Sequence, residues 1–322
     1  MKVVDFEEVK SIAEKMSPSE WYDWVDDALR KKVKFQMPPK IHITQDSGSY
    51  FNIMPAIYPE DNIAVVKTVG RHPLKLNEKR SVMMSDMMLY ESDTGILKGL
   101  IDGEYITTLR TGVVAAHSAL LFVKKDFKVI GLLGLGNIMT VCFKTFIFKL
   151  RENGDNRKLV VKLYKYHDQE KKFAERFAGL ENIKFEFCDT YENVMQDSDL
   201  IMSAVTKTTE NFADDKYYKK GVTIVPICTM GFQNCDLFFD KVFTDEVDQI
   251  RGFKYFDKFK SVTTNVSDVL NGEKEGRVSD DERILVYDYG LAIHDLYFGR
   301  KFFDLAKGKD VNYRYPHEKY FI

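Results

Sequence analysis

Two kinds of residue in this sequence have the types and spacing for chemistry. The first is a glycine turn. The apolar run KVIGLLG leads into Gly134-Leu135-Gly136-Asn137-Ile138-Met139, and an amphipathic pattern follows at once. In such a turn the first glycine permits a tight bend and the second lets the backbone approach a pyrophosphate. The start of the following helix offers free N–H groups and the positive end of its dipole. A third glycine, usual in GxGxxG, is absent, and Met139 stands in its place. Strand before and helix after predict a dinucleotide site. The second kind is cations in apolar surroundings: Lys67 within NIAVVKTVG and Arg110 within YITTLRTGVVAAHSALLFV. A cation is costly to bury without a partner, so each predicts a polar site or an edge that reaches water.

The end of the next strand, LYKYHDQ, selects the nucleotide. An Asp or Glu there accepts hydrogen bonds from the ribose 2′-hydroxyl of NAD. Here Lys165 stands in that place, with His167 two positions on. A lysine attracts the 2′-phosphate that a carboxylate would repel, so NADP(H) is favoured over NAD(H). Asp168 close by makes the preference less than absolute.

These residues need a frame, and the pattern supplies one. From about Asp126 to Asp288, apolar strand-like runs (KVIGLLG, KLVVKLYKY, KFEFC, LIMSAV, GVTIVPIC, KVFTDE) alternate with helical ones. That alternation predicts an α/β fold, a doubly wound parallel sheet of Rossmann type covered on both faces. Before it come two helical patterns (residues 5–16 and 19–34, with Ser17 or Ser19 as cap) and several short strand-like runs. After it comes a helical pattern, LAIHDLYFGRKFFDLA, and a polar tail. A chain of 322 residues suits two domains.

Composition narrows the class. The net charge of −2 comes from 47 basic and 49 acidic residues that are interspersed, so neither nucleic acid nor an anionic membrane is an expected partner. No apolar run reaches the roughly 18 residues of a membrane span, and the charged start MKVVDFEEVK has no signal-peptide core. Cys142, Cys188, Cys228 and Cys235 are scattered without a CxxC pair, so neither structural zinc nor any other metal is expected. Reduced thiols in a cytoplasmic protein are the simplest reading.

Four ordered segments resemble the ornithine cyclodeaminase and mu-crystallin family. TTLRTGVVAAHSALL resembles its LRT-A-A-SA helix, and VVKTVGRHP its strand with a central lysine. ESDTGILKGLIDG resembles its D-TG-P-A-LDG hairpin, and YDYGLAIHDL its terminal D-G-A-ED segment. The resemblance implies a Rossmann domain (121–290) inserted into a smaller α+β substrate and dimerisation domain (1–120 joined by 291–322), and a homodimer. It implies NAD(H) or NADP(H) as cofactor and a small amino or imino acid as substrate.

Residue by residue, the resemblance makes Arg110 the holder of the substrate carboxylate. A guanidinium does this with two parallel N–H bonds. Lys67 falls where the family lysine contacts the carboxylate or carbonyl side, so Lys67 and Arg110 are the catalytic candidates. Lys40, in PPKIHIT, stands where many members have a carboxylate-binding arginine, and is a second anchor without the bidentate fork. His72, in GRHP, is either a polar site residue or a turn residue before Pro73. The nucleotide shell is expected to include Thr111, Gly134, Gly136, Asn137 and Ile138. It continues with Lys165, His167, Val205, Thr206 and Met230.

One departure bears on the reaction. Where cyclodeaminases carry GGD-PGK-EL with a catalytic aspartate, this chain reads CTMGFQNCDL, which puts Met230 at the aspartate and Asn234 at the lysine. A thioether moves no proton, and expelling ammonia needs proton transfer. Hydride transfer to a preformed iminium needs mainly positioning. The sequence therefore favours NAD(P)H-dependent reduction of a C=N bond in a ketimine, a cyclic imino acid, or a 2-oxo acid plus amine adduct. Met230 and Phe232 are expected to make the substrate pocket less polar than ornithine would need. The alternatives are an amino-acid dehydrogenase or cyclodeaminase taking its acid from Asp236 or Asp295, and a mu-crystallin-like NADPH-binding protein with little catalysis.

Overall fold

The computed structural model describes residues 1–72, 82–316, 318, 319 and 322. Its contacts group the chain into two compact units. One comprises Met1–Met16, Val33–Thr107 and Ala292–Ile322; the other comprises Ser17–Lys32 and Thr108–Leu291.

The first unit is built on a seven-stranded sheet. Its order is Lys309–Asp310, Lys2–Val4, Leu97–Asp102, Met83–Glu91, Ile63–Arg71, Tyr50–Tyr58, Ile41–Thr44. All pairings are antiparallel except Lys2–Val4 with Leu97–Asp102. Side chains alternate between faces, as strands require. Met54, Ala56, Val65, Lys67, Val69, Met87 and Leu89 are buried on one face. The helix Ala292–Leu305 packs over the three central strands, burying Leu296, Phe298 and Phe302. The opposite face keeps Ile41, Ile43, Phe51, Ile57 and Met84 exposed. The methionine-rich run thus divides by parity, Met87 into the core and Met84 onto the outer face. Pro55 is tolerated in its strand because the edge strand ends before it, at the pair Ile41–Ile53.

The second unit holds eight strands, all parallel. Their order is Thr264–Asn265, Lys241–Thr244, Ile284–Tyr287, Thr223–Pro226, Leu200–Ser203, Val129–Leu133, Leu159–Tyr164, Ile183–Cys188. Every strand run named from the sequence in this region is present. Ile284–Tyr287, which pattern alone left unassigned, inserts between Thr223–Pro226 and Lys241–Thr244. The strand order reverses at Val129–Leu133, whose neighbours are Leu159–Tyr164 and Leu200–Ser203. Ligands of open parallel sheets bind outside the carboxyl ends of the strands at such a reversal.

The grouping of contacts differs at two places from boundaries drawn at 120 and 290. The helix Pro18–Arg30 belongs with the parallel-sheet unit. Ser17 caps it through a capping box with Glu20, and it packs against the helix Asn137–Glu152. Ser19 is not the cap; its hydroxyl donates to Glu152 at 2.8 Å. All but the first turn of the helix Glu104–Phe122 groups the same way, because Gly112 brings it against the Ile138 carbonyl, 2.6 Å from where a Cβ would stand. No helix among the described residues is long and apolar enough to cross a membrane.

Candidate functional site

The glycine turn is shaped as its sequence predicts. Gly134 has φ +71°, and a Cβ there would fall 2.5 Å from the Ala204 carbonyl carbon and 2.6 Å from the Val205 nitrogen. Only glycine permits both that backbone angle and that approach. The contact also places the Val205–Thr206 segment beside the turn, at the strand-order reversal. Gly136 is the N-cap of the helix Asn137–Glu152, which has no side-chain cap and no acidic residue in its first turn. Nothing lies within 4 Å of where a Gly136 Cβ would be. Uncapped N–H groups, a helix dipole and open space above the backbone fit a pyrophosphate. Thr111 adjoins Gly112 and so flanks the same helical turn, while Asn137 is exposed and Ile138 half-buried. Met139 is fully buried, so a core side chain occupies the third glycine's position.

Past the second strand, Lys165 is half-exposed and its Nζ lies 2.7 Å from Asp189 Oδ1. Asp189, which is not among the residues expected at the nucleotide site, reaches Lys165 from the end of the neighbouring strand; an acid at that strand end is the signal for it. His167 and Asp168 both adopt left-handed backbone, at φ 49° and 59°. Asp168 occupies the helix N-cap without a capping bond and pairs with Lys171 at 2.7 Å.

Arg110 is 6% exposed on its helix. Its guanidinium lies against Gly290: a Cβ there would be 3.3 Å from Nη1 and 3.8 Å from Nη2. Gly290 has φ +99°, so it is glycine on both counts. Asp245 Oδ2 fixes this loop by accepting the Gly290 N–H at 2.6 Å, and Ser118 donates to Asp288 Oδ1 at 2.9 Å. Burial, reinforced by Asp245, pushes the Asp288 acid well above the usual carboxylate range.

Met230 is 44% exposed and lines a cleft of about 480 Å³ with Thr229, Asn211, Asp236, Phe253 and Tyr255 among others. Phe232 does not line it. Contrary to expectation it is fully buried, packed edge-on to Phe212 and Tyr218 in the core. Of the two residues expected to make the pocket less polar, only Met230 lines this cleft, and it does so among mostly polar and charged neighbours. Asp236 lies at the cleft floor, 1% exposed, and the Tyr287 hydroxyl donates to it at 2.7 Å. Burial, opposed by that bond, pushes the Asp236 acid up to about 7.

In the first unit Lys67 is fully buried, and its Nζ lies 2.7 Å from Asp295 Oδ2, itself fully buried. Lys40 precedes Ile41, which pairs with Ile53, so Lys40 stands level with the Met54–Lys67 pair two strands away. His72 lies five residues beyond Lys67, roughly 16 Å along the strand. Its backbone N–H bonds the Val82 carbonyl at 3.1 Å. Lys40 thus shares Lys67's level in the sheet and His72 does not; Pro73 lies outside the described residues.

The chain is similar to several known proteins. An alanine dehydrogenase from Archaeoglobus fulgidus is 25% identical over 325 residues, covering 95% of each chain. The solved structure of an archaeal alanine dehydrogenase dimer with bound NAD matches with a TM-score of 0.81 at 22% identity, over 98% of this chain and 99% of that one. Δ1-pyrroline-2-carboxylate reductase of Thermococcus litoralis, in complex with NADH and L-proline, matches with a TM-score of 0.80 at 19% identity, over 97% and 100%. At these identities the structural likeness establishes the α/β fold. The sequence profile that matches residues 2–310 is that of ornithine cyclodeaminases and mu-crystallins, and this chain belongs to the ornithine cyclodeaminase/mu-crystallin family.

Proposed function

We propose that this chain is an NAD(P)H-dependent oxidoreductase that reduces the C=N bond of an α-imino acid. The observation that carries the reading is Arg110. A buried guanidinium braced on Gly290 belongs to the same unit as an open glycine turn, so a carboxylate anchor accompanies a nucleotide site. Relatives named as an alanine dehydrogenase and a Δ1-pyrroline-2-carboxylate reductase, whose solved structures hold NAD and NADH, support the same chemistry. The bound reduced nucleotide supplies hydride to the imine carbon. The chain's part is to hold the carboxylate through Arg110 and so fix the face of the C=N bond. Met230 at the family's aspartate position fits a reaction whose nitrogen arrives already protonated.

Within this reading NADP(H) is preferred, through Lys165, and Asp189 tempers the preference by competing for its ammonium. The active form is a homodimer, for which the exposed apolar face Ile41, Ile43, Phe51, Ile57 and Met84 is the surface. The test is oxidation of NADPH and NADH with Δ1-pyrroline-2-carboxylate, its six-membered homologue, and 2-oxo acid plus amine mixtures. Rates well above background with at least one are expected; background with all of them overturns the reading.

A cyclodeaminase-type reaction is the second reading, favoured by one observation. Asp236 shares the cleft with Met230 and has an acid poised near neutrality. Ammonia release from ornithine with oxidised nucleotide distinguishes it.

A further inference from the structure

The helix Asn137–Glu152 carries a stripe of mixed character on its outer side. Thr140, Lys144, Phe148 and Arg151 recur at helical spacing and so share one face. Phe148 is 40% exposed there, although Phe146 and Ile147 beside it are buried. The stripe is one wall of a groove of about 960 Å³, and the other wall is the segment from Arg176 to Leu180 at the end of the helix Gln169–Arg176. Both walls belong to the parallel-sheet unit. Phe148 stands roughly 18 Å along the helix axis from Gly136, well away from the nucleotide turn.

The two walls run side by side, and their hydrogen bonds fix the level of each. Near one end Arg176 Nη1 donates to Thr140 Oγ1 at 3.0 Å, one turn before Lys144. At the other end Arg151 Nη2 donates to the Glu181 carbonyl, just past Leu180. Between these ends the surface is apolar, from Ile147, Phe148, Phe177 and Leu180. Among the described residues neither Lys144, Arg151 nor Arg176 is paired with a carboxylate. Lys144 Nζ instead lies 5.4 Å from the Trp21 ring. Arg176 keeps further N–H groups for another acceptor. The groove's one acid, Glu152, is already engaged, because its Oε2 accepts from Lys149 Nζ and from Ser19 Oγ, each at 2.8 Å. An apolar trough with unmatched positive charge at one end complements an alkyl chain that ends in an oxyanion, and a guanidinium fork matches a carboxylate. A concave groove on a chain of net charge −2 suits one small anion better than a lipid surface.

We propose that this groove binds a free medium-chain alkyl carboxylate, with its head at Lys144 and Arg176 and its tail along Phe148, Phe177 and Leu180 toward Arg151. The site is additional to the nucleotide and imino-acid sites and does not depend on the imine-reductase reading.

The test is calorimetric titration of the purified full chain with decanoate, decan-1-ol and butanoate, each in the presence of saturating NAD⁺ so that heat from the nucleotide site is excluded. Decanoate is expected to bind at one site per chain, roughly tenfold more tightly than decan-1-ol, which lacks the charge, and more tightly still than butanoate, which lacks the tail. The double variant Lys144→Glu, Arg176→Glu changes two exposed side chains and should bind decanoate no better than decan-1-ol. Phe148→Ser should weaken decanoate and decan-1-ol alike, which separates the tail from the head. Circular dichroism checks that each variant is folded, and Lys144→Gln, Arg176→Gln replaces the charge reversal if that variant is not. Equal binding of decanoate and decan-1-ol, or decanoate binding unchanged in the folded variants, overturns the proposal. A change of oligomeric state in Phe148→Ser, read by light scattering, would mean that a second copy covers the groove, and overturns it as well.

Discussion

Lys67 Nζ lies 2.7 Å from Asp295 Oδ2, and both side chains are closed off from solvent. A buried ion pair is a poor source of net stability, because desolvating both charges offsets their attraction; removing one partner alone leaves an uncompensated charge. Lys67→Met and Asp295→Asn should each destabilise the chain by about 3–5 kcal/mol. The double variant Lys67→Met, Asp295→Leu should recover most of that loss. Urea denaturation of the three variants measures it. If Lys67 also serves the substrate, the refolded double variant will remain inactive, whereas a purely structural lysine would leave it active.

Gly290 should be as sensitive as Arg110 itself. Alanine there meets a positive φ and sits 3.3 Å from the guanidinium, so Arg110 must move. Gly290→Ala should raise KM for the carboxylate substrate at least tenfold, equivalent to about 1.4 kcal/mol. The dissociation constant for the nucleotide should hardly change. Steady-state kinetics beside a nucleotide titration separates the two; equal losses in both would mean that the loop matters only for folding.

What was legible in the sequence was local. Gly134 and Gly136 announce their strand and helix within one short segment, and Ser17 with Glu20 announces a helix start, because turns and caps are made by near neighbours. Partnerships closed by the fold were not legible. Nothing near Lys67 names Asp295 as its counter-ion, and nothing near Lys165 names Asp189. Phe232 read as a pocket residue because it adjoins Met230, yet one turns into the core against Phe212 and the other faces the cleft. Ile284–Tyr287 is a four-residue apolar run whose assignment as a strand depends on parallel neighbours distant in sequence.

The Lys165–Asp189 pair sets the nucleotide preference in both directions. A phosphate must draw the Lys165 ammonium away from a carboxylate 2.7 Å distant. Lys165→Ala should abolish the preference for NADPH, and Asp189→Ala should increase it by several fold. Both effects should shrink at high salt, since the pair is exposed and screened. Fluorescence titrations with NADPH and NADH decide it; a native preference for NADH would refute the role given to Lys165.

The outer face of the seven-stranded sheet carries Ile41, Ile43, Phe51 and Met84, each close to half exposed. Ile43 pairs with Phe51 in register, so the two form a continuous apolar row. Such a face is expected to be covered in solution. Phe51→Glu should convert a dimer into a monomer with the fold retained. Light scattering and circular dichroism would check this, and a native chain that is already monomeric would rule out this surface.

Asp236 gives stability a pH dependence of predictable sign. Burial raises its acid from an ordinary 3.8 to about 7 in the folded chain. The folded state therefore holds a proton that the unfolded state releases near pH 4. The stabilisation is complete below that point and is lost as pH rises through about 7; the full effect is bounded at about 4 kcal/mol. Asp288, also raised by burial, acts in the same direction, so removing one acid should remove only part of the slope. Asp236→Asn keeps an oxygen for the Tyr287 hydroxyl and cannot ionise. The fall in Tm between pH 5 and pH 8 should be visibly smaller in this variant than in the native chain. An unchanged fall would mean that Asp236 is already ionised at pH 5, and it would then be no proton donor for the cleft it underlies.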